Sequence, residues 1–296
     1  MSTTRLTSAL LCAVMLTAAA AAPTAAKRPV PTAPAPAPEE RPLTAEEEAA
    51  SAARVAMADA HLQAEAETGA GLSTLACVTP NSTSPEATPD ASIQSYCKVP
   101  SAALPVYPRD QRYGHYCGPA VGQVIANYAW KRSSTTNKYG QRKIAGWMQT
   151  DARGYTNAPE LEDGLERGTA GAPRRPSNWN WVVTPLRDTD GDGTVADQLH
   201  GYVKSNVSYS KMPLAIPVKP YAYGSKYRLS SWSKPVNSLG HWIAAYGWYA
   251  NWTNSDTPGI YYTDSSRDEG GSTGKFWDPT RHIATLIMEH TGRFVW

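Results

Sequence analysis

The chain has 296 residues, with 28 Lys and Arg against 26 Asp and Glu, for a formal charge of +2. That length suits one sizeable domain or two small ones, and so even a balance excludes the basic surplus by which proteins neutralise nucleic-acid phosphates. The 16 Tyr and 10 Trp against 2 Phe favour amphipathic rings over the purely apolar one, which suits polar sites and wet surfaces and hints at an extracellular protein.

At the N-terminus, Arg5 precedes an apolar run from Ala9 to Ala22, followed by small residues and Pro23. This is the pattern of a secretory signal. The run is shorter than the roughly 20 apolar residues that cross a bilayer, so no stable membrane anchor is expected. The bulky Leu11 also stands where a lipid anchor on Cys12 would require a small residue. Cleavage after Ala21 or Ala26 would assign residues 1–26 to the signal and leave a secreted, extracellular chain, expected to be a monomer.

Residues 27–43 contain PVPTAPAPAPEERP, a spacer that favours polyproline II and cannot bury a core. Strong helix formers fill Thr44 to Glu67, with Thr44 and Glu47 spaced as a capping box. The large apolar side chains there, Val55, Met57 and Leu62, give only a narrow face. Residues 44–100 thus combine a helical segment with a polar loop, as a pro-segment, a docking arm or a solvated helix.

Loss of Cys12 with the signal leaves Cys77, Cys97 and Cys117. In an oxidising compartment two should pair, and Cys77 with Cys97 would close a Ser, Thr and Pro loop that has little core of its own. Cys117 is then left over, as an inert buried thiol or a reactive one.

Residues 101–296 have the composition of a folded domain. Apolar spacing predicts helices at 119–130, 141–148, 158–166 and 195–203, and strands at 213–219, 241–249 and 260–264. Helices come first and strands later, which points to α+β with an antiparallel sheet.

In Gln111-Arg-Tyr-Gly-His-Tyr-Cys117-Gly-Pro, Pro119 marks a helix start, because there a residue without an N–H wastes no donor. Cys117 is thereby placed at a helix N-terminus, where free N–H groups and the positive end of the macrodipole favour a thiolate. Such a nucleophile needs a base. Of His61, His115, His200, His241, His282 and His290, His241 stands apart because it follows Gly240 and opens the strand HWIAAYGWY. His115 lies too close to Cys117 in the same loop, and the others fall in helical or apolar stretches. If strand 241–249 pairs with GIYYTD so that His241 opposes Asp264 and Tyr249 opposes Asp256, the carboxylate can accept the His241 Nδ1 proton and fix its tautomer.

Gln111 six positions before Cys117, Cys-Gly-Pro-Ala opening a helix, Gly-His241 opening a strand and Asp264-Ser ending the next resemble papain-fold cysteine peptidases. The set is most similar to the bacteriocin-processing, double-glycine type and its stand-alone secreted relatives, over about residues 106–296. The resemblance implies a papain-like fold with an N-terminal helical part carrying the nucleophile and a C-terminal sheet carrying His and Asp. It implies Cys117 as nucleophile, His241 as base and acid, Asp264 as orienter and Gln111 as oxyanion donor. A peptide or protein would be the substrate, and no cofactor would be required. No transporter is attached, so the double-glycine preference is not carried over, and residues 173–235 have no counterpart.

Asp188, Asp190, Asp192 and Thr194 stand as in the first half of a calcium loop, while Leu199 occupies the position where a bidentate Glu should close it. A structural Ca²⁺ and a solvated turn are the alternatives there. Alternatives for the whole protein are a cell-wall amidase, endopeptidase or transglutaminase-like enzyme, and a non-catalytic binding module on the same scaffold.

Overall fold

The computed structural model describes residues 41–68, 101–187, 195–221, 224–236, 240–250, 258–267 and 270–296. The signal, most of the spacer, Cys77, Cys97 and the loop of Asp188, Asp190, Asp192 and Thr194 lie outside the described residues. Among the described residues, no helix is long and apolar enough to cross a membrane.

Helix α1 (Ala45–Thr68) begins at the expected capping box. The Thr44 N–H donates to Glu47 Oε2 at 2.6 Å, and the Glu47 N–H donates to Thr44 Oγ1 at 3.2 Å. Its buried stripe is Ser51, Arg54 and Ala58; Val55 packs against the core and Leu62 against Gly201, whereas Met57 is exposed, so two of the three apolar residues read from the sequence lie on the face that docks. Polar contacts join the apolar ones: Ser51 Oγ donates to Thr184 Oγ1 at 2.9 Å, and Arg54 donates to the Asn180 carbonyl while lying 3.7 Å from the Trp179 ring centroid.

Four short helices follow a three-residue strand β1 (Ser101–Ala103): α2 (Cys117–Ala129), α3 (Gln141–Trp147), α4 (Thr150–Arg153) and α5 (Ala158–Thr169). Buried on every side from Gly118 to Ala129, α2 is the central helix. It starts two residues before the expected position, because the first turn of a helix needs no N–H partners and Pro119 fits inside it. Asn157 and Glu160 form a second capping box at the start of α5.

The rest is mostly sheet: β2 (Val183–Pro185), α6 (Val195–Ser205) running into a π-helical turn (Asn206–Ser210), β3 (Leu214–Val218), β4 (His241–Tyr249), β5 (Gly259–Asp264), β6 (Gly274–Pro279), α7 (Thr280–Met288) and β7 (Arg293–Val295). The strand order is β2-β7-β3-β4-β5-β6, with β1 also paired to β4, and the pairings are antiparallel. The architecture is α+β, with helices and an antiparallel sheet sharing one core.

The β4–β5 register corrects the sequence reading. Near the connecting loop Tyr249 faces Gly259 and Gly247 faces Tyr261, but beyond Tyr246 Ala245 faces Tyr262 and Ala244 faces Thr263. Tyr246 is therefore the extra residue of a β-bulge. Its carbonyl accepts the Leu104 N–H at 2.8 Å. Without the bulge, continuing the loop-side register would set Asp264 opposite Ala244, on the sheet face away from His241. With it, Asp264 is carried past Thr263 to the Ile243 level, the face that His241 shares by two-residue alternation. The expected partnership survives because its assumed register differs from the real one by an even number of residues.

Candidate active site

Cys117 is the first residue of α2, after Tyr116 at the N-cap, and no side chain caps the helix. The Ala120 N–H begins the backbone ladder, donating to the Tyr116 carbonyl at 2.8 Å. The N–H groups of Cys117 and Gly118 precede that ladder, at the positive end of the helix macrodipole.

Close packing holds this corner in place. A Cβ on residue 118 would lie 2.5–2.6 Å from Thr156 Oγ1 and Cβ, so only glycine lets the two segments approach. Thr156 Oγ1 bonds Thr150 Oγ1 at 2.7 Å, and the Thr156 carbonyl accepts from Trp242 Nε1 at 2.9 Å. Since Trp242 follows His241, these contacts tie the start of α2 to the start of β4.

His241 is buried, and its Nε2 lies 2.7 Å from Asp264 Oδ1. The Cys117 sulfur lies close enough to the ring to favour its charged form. Asp264 thus meets Nε2 and not the Nδ1 expected from sequence, because it approaches from the diagonal position that the bulge creates. Burial disfavours charge on this ring, but the Asp264 carboxylate and the Cys117 sulfur outweigh it and push His241 up to about 10.

Asp264 is fully buried and accepts four donors. His241 Nε2 and the Ser266 N–H (2.8 Å) meet Oδ1, while Ser231 Oγ (2.7 Å) and Trp232 Nε1 (3.0 Å) meet Oδ2. Burial alone would raise this carboxyl, yet the His241 charge and the donors hold it below the usual carboxylate range. Trp232 also presents its ring to His241 at 5.4 Å and 69°. Neither Ser231 nor Trp232 was singled out from sequence, since the loop that carries them has no motif spacing.

Gln111 is buried. Its backbone N–H donates to the Ser265 carbonyl at 2.8 Å and its Nε2 donates to the Gly114 carbonyl at 3.2 Å. The residue is therefore stitched to the chain immediately after Asp264 and lies in the loop that leads to Cys117. An Asp110–Arg267 ion pair joins the same two segments.

The remaining histidines serve other contacts. His61 bonds Ser205 Oγ at 3.0 Å, His115 lies 3.6 Å from Asp151, and His200 Nε2 is 3.1 Å from the Tyr249 carbonyl. His282 stacks on Tyr227 at 4.1 Å, and His290 packs against Gly240. Asn237 lies outside the described residues, and Asp278 lies behind the Asp264 network, accepting from Tyr262 Oη and the Ser230 N–H. Among the described residues, no group of three or more His, Cys, Asp or Glu side chains is placed to hold a metal ion.

No protein-family model matches this sequence, and no curated protein matches it. The functional reading therefore rests on the residues and their geometry.

Proposed function

We propose that this protein is a secreted cysteine peptidase of papain-like fold, which hydrolyses peptide bonds through a Cys117-His241-Asp264 triad. The observation that carries this reading is a buried imidazole beside Cys117 at the head of α2, whose Nε2 lies 2.7 Å from a buried carboxylate. The secretory reading rests on the N-terminal signal pattern.

A histidine held protonated by Asp264 pairs with a thiolate at the head of α2. Sulfur attacks the scissile carbonyl carbon, and the resulting oxyanion is met by the Cys117 N–H and the Gln111 carboxamide. Collapse to the thioester expels the amine, which takes the imidazolium proton. A water molecule then attacks the thioester, giving one proton to His241, and the carboxylic acid leaves as sulfur is released. Asp264 remains ionised throughout and holds the ring in plane.

The reading is tested by incubating the mature protein under mild reduction with a diverse peptide library and with purified peptidoglycan, with Cys117→Ala as control. Cleavage of peptides by the wild type and none by the variant is expected. Release of peptidoglycan fragments alone would move the assignment to cell-wall chemistry, and inertness toward both would leave a binding module. Gln111→Ala should lower kcat by roughly 10²–10³, the scale for one oxyanion donor.

A further inference from the structure

Asp264 is backed by a second buried carboxylate. Asp278, on β6, places Oδ2 2.7 Å from Tyr262 Oη and 2.9 Å from the Ser230 N–H. Tyr262 Oη lies 3.3 Å from Ser231 Oγ, which donates to Asp264 Oδ2 at 2.7 Å. Asp278 is 5% exposed, Ser231 3%, and Tyr262 and Asp264 are fully buried. An unbroken line of polar groups therefore runs from β6 through β5 to the candidate triad, shielded from water.

The bonds along that line have set directions. Tyr262 Oη donates to Asp278 Oδ2, which also accepts the Ser230 N–H, and Tyr262 Oη accepts the Ser231 N–H at 3.4 Å. Ser231 in turn gives its hydroxyl proton to Asp264 Oδ2. Burial raises Asp278 above the usual carboxylate range, against the Ser230 and Tyr262 donors and the Arg228 charge that oppose it.

We propose that Ser231, Tyr262 and Asp278 are positioning residues: Asp278 anchors the Tyr262 hydroxyl, Tyr262 holds Ser231, and Ser231 fixes Asp264 and through it His241. This inference rests on the peptidase reading, so its test reads the Cys117–His241 pair apart from turnover. The rate of Cys117 alkylation by iodoacetamide is measured from pH 4 to pH 10 in the wild type, Ser231→Ala, Ser231→Thr, Tyr262→Phe, Asp278→Asn and His241→Ala. Ser231→Ala and Tyr262→Phe should each slow labelling at pH 6 about tenfold, the scale for losing one hydrogen bond to a charged group, and should alter the pH profile. Ser231→Thr, which keeps the hydroxyl, and Asp278→Asn, which keeps an oxygen to accept the Tyr262 hydroxyl, should retain the wild-type profile. Tyr262→Phe is nearly isosteric and serves where Ser231→Ala loses the native circular dichroism. Fast, His241-dependent labelling that neither Ser231→Ala nor Tyr262→Phe changes would overturn the positioning role while leaving the peptidase reading intact. Wild-type labelling no faster than that of a free thiol, and indifferent to His241→Ala, would instead sink the peptidase reading itself.

Discussion

At the scale of single residues, the site depends on a contact in which one hydrogen atom must not become a methyl group. Helix propensity alone would favour Gly118→Ala by up to about 1 kcal/mol. The new Cβ, however, meets the branched Thr156 at its own Cβ as well as its hydroxyl, and overpacking of this kind costs about 1–3 kcal/mol. Urea denaturation should show Gly118→Ala less stable than the wild type. Adding Thr156→Gly should recover stability, whereas adding Thr156→Ala should not, because it leaves the offending carbon in place. A second expectation follows from the charges of the pair. His241 is raised to about 10 from an unfolded value near 6.5. Its contribution is therefore complete below about pH 6.5 and lost as pH rises toward about 10. Asp264 is lowered, so its contribution is present above the ordinary carboxylate range and fails only in stronger acid. Thermal melts should show the gap in Tm between the wild type and His241→Gln widest near pH 6 and narrowing steadily above pH 8; a gap that grows with pH would reverse the assigned charge. The residues that meet in this pair were legible in the sequence because helix-start and strand-start signals are local. The choice of nitrogen was not, since it depends on a diagonal rather than a direct cross-strand approach. Ser231 and Trp232 were hidden for a related reason: their loop is held by tertiary bonds, Ser230 N–H to Asp278 and Ser233 N–H to the Gly270 carbonyl.

At the scale of elements, α1 is joined to the body of the domain by contacts remote from Cys117 and His241. Glu65 pairs with Lys204 at 2.8 Å, His61 stacks on Tyr209, and Arg54 is buried against Trp179 and the Asn180 carbonyl. A helix fixed in this way braces α6 and β2, and it is not expected to plug the approach to the nucleophile. Arg54→Ala removes a desolvated cation–π contact and a charged hydrogen bond, at a cost of about 2 kcal/mol. It should lower the denaturation midpoint and leave the native-state labelling rate of Cys117 unchanged; faster labelling would restore the plug. Sequence periodicity found this helix through its capping box and caught Val55 and Leu62 of its docked face, but not Ser51 and Arg54, which carry no hydrophobic signal. Strands β1, β2 and β7 escaped for another reason. Each has three residues, too few to show alternation, and each is defined by its partner: Ser101–Ala103 by β4, Val183–Pro185 by Arg293–Val295.

At the scale of the whole molecule, the last strand is inserted between β2 and β3, so residues far apart in sequence must meet before the sheet is complete. Trp296 and Val182 exchange backbone hydrogen bonds at 3.0 and 3.1 Å, and the buried Trp296 indole donates to Thr184 Oγ1 at 2.7 Å. Trp296→Ala should cost about 3–5 kcal/mol, the range for emptying a large aromatic site in a core. The candidate site draws on the segments near 111–117, 231–232, 241 and 264, which converge only in the assembled fold. Selective labelling of Cys117 should therefore disappear at the same denaturant concentration as the circular dichroism signal, as all-or-none unfolding requires. Labelling lost well before the signal would mean that the two sides of the site separate while each stays folded. The α+β class was readable from the order of elements, whereas this closure was not, because strand order depends on long-range pairing that no local pattern encodes.

The unpaired Tyr246 sets a rule for changes in chain length. The connection between β4 and β5 can gain or lose residues without altering which side chains of the two strands share a face, because the ladder is counted from paired backbone and not from the loop. Between Tyr246 and His241 that freedom vanishes. One residue added or removed there exchanges inward for outward at the strand's end and turns the imidazole away from its carboxylate, while two restore the facing but shift it along the sheet. The hairpin thus tolerates variation at its tip and forbids odd changes at its base, and a second bulge placed before His241 would cancel the first.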